Sequence, residues 1–340
     1  MKRVLIVLAI LLFAAAGLSA QTYDEFEGYF QAFADEVANS LPITASVGGN
    51  WSPAYMGQFP HFGVGVSLGG MFLPYEAVEP VVSNLGLSVP SALKTYGVPF
   101  PAIAADARLG GFILPFDIGV KFGFIPEEAK DLFSDKVTAD YLLAGADVRL
   151  RLTEGKGLLP TISAGAGYNY MQGTLGIKDA GTGDTTIDIT DVMNLAYDPD
   201  FPANEYTLTI TDPDLIFNWE THTIQAKAQA SWDLALLTPH VGFGAAHGFS
   251  TAGGGLFSTL VYDPGTSGRP FQDVQDAFES LGYPIPTAQG LEINSEANGW
   301  SFWVYGGTAL NIVFLRLDLS AMYNFLSGAY GASANVRIQL

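Results

Sequence analysis

Tyr330-Gly331-Ala332-Ser333-Ala334-Asn335-Val336-Arg337-Ile338-Gln339-Leu340 alternates without a break. Ala332, Ala334, Val336, Ile338 and Leu340 fall on one face, and Gly331, Ser333, Asn335, Arg337 and Gln339 on the other. Side chains of an extended strand point alternately to its two faces, so the stretch reads as a β-strand with one apolar and one polar side. With this strand as its last segment, the chain is expected to close a sheet into a barrel and leave no free edge.

The beginning of the chain points the same way. Lys2 and Arg3 precede an apolar run over residues 4–16, and Leu18-Ser19-Ala20 stands before Gln21, the pattern of a cleaved export leader over residues 1–20. The run is too short to span a bilayer as a helix. No cysteine is present, which excludes a lipid-anchoring cysteine, disulfides and thiolate metal sites. Hydrophobic residues make up 49% of the chain, yet none of the later stretches is apolar enough for a membrane helix, so this content must be spread over short segments. A net charge of −19 argues against nucleic acid as a partner.

From residue 62 onward the apolar period is two, and ten strands can be counted. They begin with Phe62, Val64, Val66 and Leu68 against Gly63, Gly65, Ser67 and Gly69, and include Phe116, Ile118, Val120 and Phe122 against Asp117, Gly119 and Lys121. Connections near 113–115, 153–157, 236–239 and 311–313 are short, whereas those near 74–100, 125–137, 176–217 and 250–292 are long. Outer-membrane barrels have short periplasmic turns and long outer loops, so the first strand runs outward and the tenth ends in the periplasm. Residues 43–50 are left outside the barrel, because an eleventh strand would spoil that parity. Twelve strands are the alternative, if 206–211 pairs with 185–190 as a further hairpin. Tyr168, Tyr170, Phe217, Trp219, Trp300, Phe302, Tyr323, Phe325 and Tyr330 would then gather at the outer rim as an aromatic belt. A soluble β-sandwich also alternates, but predicts neither this belt nor alternating loop lengths.

Within such a barrel the polar faces point into the lumen. They carry Arg108, Lys121, Arg149, Arg151, Lys227, Arg316 and Arg337, with Asp106, Asp117, Asp147, Asp233 and Asp318, and the expectation is a luminal ion-pair network with a structural or gating role. Residues 24–41 have helical spacing: Phe26, Phe30, Phe33, Val37 and Leu41 form a stripe, and Glu25, Glu27, Asp35 and Glu36 lie beside it. At about 1.5 Å per residue this helix is about 27 Å long, close to the bilayer core of about 30 Å, and its acidic face suits a basic lumen as a plug.

Two long loops end alike: a helical stretch, then Gly97-Val98-Pro99-Phe100-Pro101 in one and Gly282-Tyr283-Pro284-Ile285-Pro286 in the other. Acids such as Asp198, Asp200, Asp212 and Asp214 sit in outer loops without the spacing of a Ca²⁺ loop. Glu220 and His222 share the parity of lipid-facing Ile224, and His247 that of Val241 and Phe243, which reads as interfacial histidines rather than a catalytic site.

A family resemblance rests on Gly49-Asn50-Trp51-Ser52, Phe62-Gly63-Val64-Gly65-Val66, Pro99-Phe100-Pro101-Ala102, and the run from Asp117-Ile118-Gly119-Val120 to Ile125-Pro126. These motifs resemble an uncharacterised family of bacterial outer-membrane β-barrels with an N-terminal helical segment, distantly similar to the long-chain fatty-acid transporter barrels. The resemblance implies an N-terminal hatch inside the lumen. This chain departs from those transporters in having fewer strands and in ending on Leu340 rather than an aromatic residue.

The sequence therefore predicts an all-β, up-and-down transmembrane barrel with a leader over 1–20, a helical plug segment over 21–61 and the barrel over 62–340. It is expected in the bacterial outer membrane as a monomer, with outer-membrane lipid and the barrel-assembly machinery as partners. The favoured function is a plugged channel or transporter for a small hydrophobic molecule, with apolar loop segments 81–89 and 271–285 at its mouth. A surface-interaction barrel displaying acidic loops is the first alternative and an outer-membrane hydrolase the second. No cofactor, metal or catalytic residue is expected.

Overall fold

The computed structural model describes residues 21–76, 79, 91–126, 137–178, 184–197, 205–211, 214–287 and 290–340. The leader over 1–20, the apolar loop segment 81–89 and the acids Asp198, Asp200 and Asp212 lie outside the described residues.

Numbered along the chain, the strands are β1 (Gln21–Thr22), β2 (Phe62–Leu73), β3 (Val98–Gly110), β4 (Phe116–Phe124), β5 (Val137–Thr153), β6 (Thr161–Ile177), β7 (Thr185–Asp188), β8 (Thr207–Ile210), β9 (Asp214–Ser231), β10 (Leu237–Phe257), β11 (Leu260–Asp263), β12 (Gly290–Ile312), β13 (Leu315–Asn324) and β14 (Tyr330–Gln339). Helices fully within the described residues are α1 (Tyr23–Thr44), α2 (Ser91–Tyr96), α3 (Thr190–Tyr197) and α4 (Phe271–Leu281). Ten strands form a closed antiparallel barrel in sequence order, β2-β3-β4-β5-β6-β9-β10-β12-β13-β14. It closes by pairing β14 with β2, from Tyr330 opposite Phe72 to Gln339 opposite Gly63.

The wall obeys the two-residue period, with a register shift between Arg151 and Thr153 at the lower end of β5. Outward residues such as Val66, Leu68, Val120, Phe122, Val148, Phe243, Leu319 and Val336 are exposed, although they are large and apolar. Their inward neighbours Asp106, Arg108, Asp117, Arg149, Asp318 and Arg337 are buried. A soluble barrel would bury the first set and expose the second, so the wall faces lipid and the protein spans a membrane with strands. From Phe62 to Phe72 the apolar face of β2 rises about 25 Å, at about 3.3 Å per residue and a tilt of about 40°, which is the height of a barrel's lipid-facing band.

The second hairpin, β7 with β8, does form, but in a separate four-stranded sheet, β1-β7-β8-β11, above the long-loop end; the barrel keeps ten strands. Both Gly-x-Pro-x-Pro motifs end helices through a glycine: Gly97 after α2 and Gly282 after α4 have φ of 75° and 78°, the left-handed region that glycine adopts without strain. Five neighbouring strands, β5, β6, β9, β10 and β12, are 17 to 23 residues long, whereas the other five have 9 to 13. One half of the wall therefore stands taller than the other.

Two expectations about the wall fail. Phe217 and Trp219 do not join the aromatic rim, because their parity turns them inward. Phe217 packs at 4.9 Å from Phe33 of α1, and Trp219 at 5.1 Å from Phe100. Asp233 lies beyond the end of β9 in an exposed turn, where Thr238 Oγ1 is 3.5 Å away, and takes no part in a luminal network.

Candidate functional site

The N-terminal segment fills the lumen. Its chain starts at the long-loop end, where β1 pairs in parallel with β7, and α1 then descends between the strands. Ala34, Val37, Ala38 and Leu41 are buried on α1, facing Phe100, Ala104, Leu143, Met171 and Ile293 of the wall in one apolar cluster. That cluster continues into the cap through Ile187, Leu208 and Ile210, Val192 and Met193 of α3, and Val274, Ala277 and Phe278 of α4. The 271–285 segment is thus largely packed into the cap core, and Ile285 is its exposed large apolar residue.

Of the residues assigned to the plug helix, Phe33 packs on Phe217 and Asp35 accepts a hydrogen bond from Ser295 Oγ. Glu36 Oε1 is shielded and meets no donor among the described residues. The side chains of Glu25, Glu27 and Phe30 lie outside the description. Among the described residues the basic lumen does not grip the helix by its acids. It grips the chain below the helix, by its main chain.

Below Thr44 the chain descends as turns and extended backbone, with Ala45, Ser46, Val47, Asn50, Trp51, Ser52 and Ala54 buried. Such a segment has no ladder of its own, and buried main-chain groups must be paired. The wall supplies the partners. Lys121 Nζ donates to the carbonyls of Ala45 and Val47, the second at 2.7 Å. Lys227 Nζ donates to Gly49 O at 2.9 Å and Asn50 Oδ1 at 3.1 Å. Arg149 Nη1 reaches Trp51 O and Pro53 O, both at 3.1 Å, and Gln229 Nε2 reaches Trp51 O at 2.8 Å. Acceptors serve the other polarity: the amides of Ser52, Ala54 and Met56 donate to Asp318 Oδ2 at 2.8 Å, Ser231 Oγ at 2.9 Å and Asp117 Oδ2 at 3.1 Å.

The same wall residues pair with one another. Arg108 bridges Asp117, at 2.5 Å, and Asp147, whose two oxygens are both 2.7 Å from Nη2. Asp117 also holds Arg149, so two guanidiniums and two carboxylates balance in charge. Buried ions need such neutralisation and full hydrogen bonding to be tolerated. Arg337 donates to Asp318 at 3.1 Å and, with Arg108, flanks the ring of Trp51, at 4.7 and 5.7 Å from its centre. Asp106 accepts from Ser67 Oγ at 2.6 Å and Asn335 at 3.0 Å. Arg151 sits at the half-exposed mouth over Tyr55 at 4.7 Å, and Arg316 is half-buried with Nε unpartnered among the described residues.

At the boundary between the apolar upper lumen and this polar floor, the wall is thin. The outward row Gly306, Ala321, Ala332 and Gly70 crosses four strands in register, and the inward row just below it is Gly307, Ser320, Ser333 and Gly69. Bulk is excluded there: a Cβ on Gly69 would lie 2.6 Å from Ala332 O, and one on Gly307 would strike Leu319 O. A depression of about 490 Å³ opens on the lipid side, flanked by Leu68 and Leu319.

Comparison with known proteins adds little to this geometry. No family model and no curated protein matches the chain. Among solved structures it is similar to a Pseudomonas aeruginosa FadL homologue, over 96% of this chain and 99% of that one, at 9% identity and a TM-score of 0.28. It is similar to the CymD monoaromatic hydrocarbon channel over 96% and 98%, at 11% identity and 0.27.

On the outer surface, Tyr168 Oη is 2.6 Å from His222 Nδ1, and His222 Nε2 is 3.1 Å from Glu220. His247 lies apart, 5.2 Å edge-on from Trp300, in the aromatic rim. Sequence reasoning missed the carbonyl-binding role of Lys121, Lys227 and Arg149, because main-chain acceptors leave no residue signature. A polar run that breaks at Gly48-Gly49-Asn50 beside a basic lumen was the available hint.

Proposed function

We propose that this protein is an outer-membrane channel, exported by its leader, that passes a small hydrophobic molecule and is shut at rest by residues 23–61. The observation that carries the reading is the way this segment is held: most hydrogen bonds from the wall to residues 45–56 go to main-chain atoms, as a binding site holds a removable strand. Above it, α1 and the wall meet through apolar side chains, so withdrawal of the helix uncovers an apolar vestibule continuous with the cap. The ion-paired floor would reject such cargo, and the thin wall at Gly306, Ala321, Ala332 and Gly70 gives it a route sideways into lipid. The competing reading is a permanently sealed barrel displaying its loops, favoured by the density of the luminal network.

The two readings part on whether the helix must move. The chain is free of cysteine, and an ideal Cβ on Gly248 stands 3.1 Å from that of Pro42, close to the spacing of about 3.8 Å in a disulfide. A Pro42→Cys/Gly248→Cys variant should take up a radiolabelled alkane or monoaromatic hydrocarbon when reduced and lose uptake when oxidised. Equal uptake in both states, or none in the wild type, would remove the gated-channel reading.

A further inference from the structure

The tall half of the wall carries a second site, on its outside. Above the rim row of Tyr170, His222 and Phe249, the next outward row across β6, β9, β10 and β12 is Gln172, Glu220, Thr251 and Glu296, and the row above that is Thr174, Asn218, Gly253 and Asn294. Outward polarity switches within one step, from aromatic to amide, hydroxyl and carboxylate. At about 3.3 Å per residue and a tilt of about 40°, each row is about 5 Å higher than the last, which sets these two rows at headgroup level beside the bilayer.

There the wall is hollowed into a groove of about 490 Å³, lined by Asp140, Gln172, Asn218, Glu220, Thr251 and Asn294, with Gly173 and Gly253 in its floor. Neighbours orient the lining. Thr174 Oγ1 donates to Asn218 Oδ1 at 2.8 Å, and Tyr170 Oη to Gln172 Oε1 at 2.6 Å, so both amide oxygens are engaged and both NH₂ groups remain as donors. Glu220 is held by His222 at 3.1 Å and offers carboxylate acceptors. Donors and acceptors thus interleave, and among the described residues the lining contains no lysine or arginine. A phosphate or other anion would face the carboxylates of Asp140 and Glu220. A neutral ligand with many hydroxyl groups would meet a partner of each polarity.

We propose that this groove binds a neutral saccharide, supplied as the headgroup of a glycolipid in the adjoining leaflet or as a free oligosaccharide. The proposal is independent of the transport reading and requires only the folded barrel.

The test uses the full-length mature protein in phosphatidylcholine nanodiscs doped with a minority of monoglucosyl-diacylglycerol or, separately, phosphatidylglycerol; a third arm adds maltotriose to undoped discs. Mass spectrometry of protein-retained lipid and saturation-transfer NMR of maltotriose are the readouts. The comparison is a Gln172→Ala/Asn218→Ala/Thr251→Ala variant, and a second variant, Thr251→Tyr, fills the groove without deleting the amides. Exposed sites of this kind tolerate substitution, and heat-modifiable gel migration checks folding. The expected result is enrichment of the glucolipid over its bulk fraction, falling about tenfold in both variants. Maltotriose binding alone, lost in both variants, supports the site with a soluble source. Retention of phosphatidylglycerol in place of sugar, sugar retention unchanged by either variant, or no sugar retention in any arm overturns the proposal.

Discussion

Asp117 grips Arg149 with both carboxylate oxygens at the floor of the barrel, 2.9 Å from Nε and 3.0 Å from Nη2, while the third guanidinium nitrogen of Arg149 holds the carbonyls of Trp51 and Pro53. One ion pair thus ties the wall to itself and to the segment inside it. Removing one partner strands the other as a buried charge, a loss of about 3–5 kcal/mol. Asp117→Ala should therefore lower the urea midpoint of the barrel steeply, and Arg149→Ala should do the same. The Asp117→Ala/Arg149→Ala double variant should lose less than the two single losses added together. Strict additivity in that cycle would mean the pair is not coupled.

Lys121 and Lys227 address the segment differently, since both donate to its carbonyls. Lys121→Met/Lys227→Met keeps most of the bulk and deletes the donors. A hydrogen bond from a charged group is worth about 1.5–3 kcal/mol, so protection of the amides of Ser52, Ala54 and Met56 should fall at least about tenfold. Hydrogen exchange read by mass spectrometry checks this, with β3 and β4 as the internal reference. Equal loss of protection in those strands would show that the lysines hold the wall rather than the segment.

The barrel was legible in the sequence for a physical reason: lipid outside and a polar lumen inside impose one period on every strand, and Val336 and Arg337 report it as clearly as any pair. The strand ends were less legible, because β5 and β9 continue past the bilayer, where that contrast vanishes and Asp140 and Asn218 can face outward. Phe217 and Trp219 were misplaced for the same reason: above the membrane the lumen becomes an apolar core around α1, so aromatic character no longer marks the lipid side. Lys121 and Arg149 could be assigned to the lumen from parity, but not to carbonyl acceptors, which every residue carries.

Tyr262 predicts how the cap responds to alkali. Its hydroxyl is shielded and unpartnered among the described residues, and burial pushes its pKa up to about 12, against about 10 for an exposed phenol. Below pH of about 10 both the closed and the opened cap keep the proton, and the full stabilisation is present. As the pH rises from about 10 to about 12 only the opened form ionises, so stability is lost across that window. Proteolysis within the cap should accelerate as the pH rises from about 10 to about 12, while the barrel stays intact, and Tyr262→Phe should reduce the acceleration. An unchanged pH profile in Tyr262→Phe would assign the response to other groups.

Ala332 and Ala321 stand side by side on the lipid face, in the row where the wall is thinnest. A phenylalanine at either position projects into lipid and into the depression of about 490 Å³, so it should fold normally: it meets an apolar solvent and displaces no luminal contact. If hydrophobic cargo leaves the upper lumen through this row, Ala332→Phe should cut hydrocarbon uptake several-fold. Ala164→Phe, an equivalent change on the outward face of β6, should leave uptake unchanged. A vertical path predicts the opposite ranking for the lumen: uptake should then depend on opening the polar floor, and Lys121→Met/Lys227→Met should raise it while Ala332→Phe has no effect. Uptake measured on these three variants at matched expression therefore separates lateral from vertical release, because each path runs through residues the other does not touch.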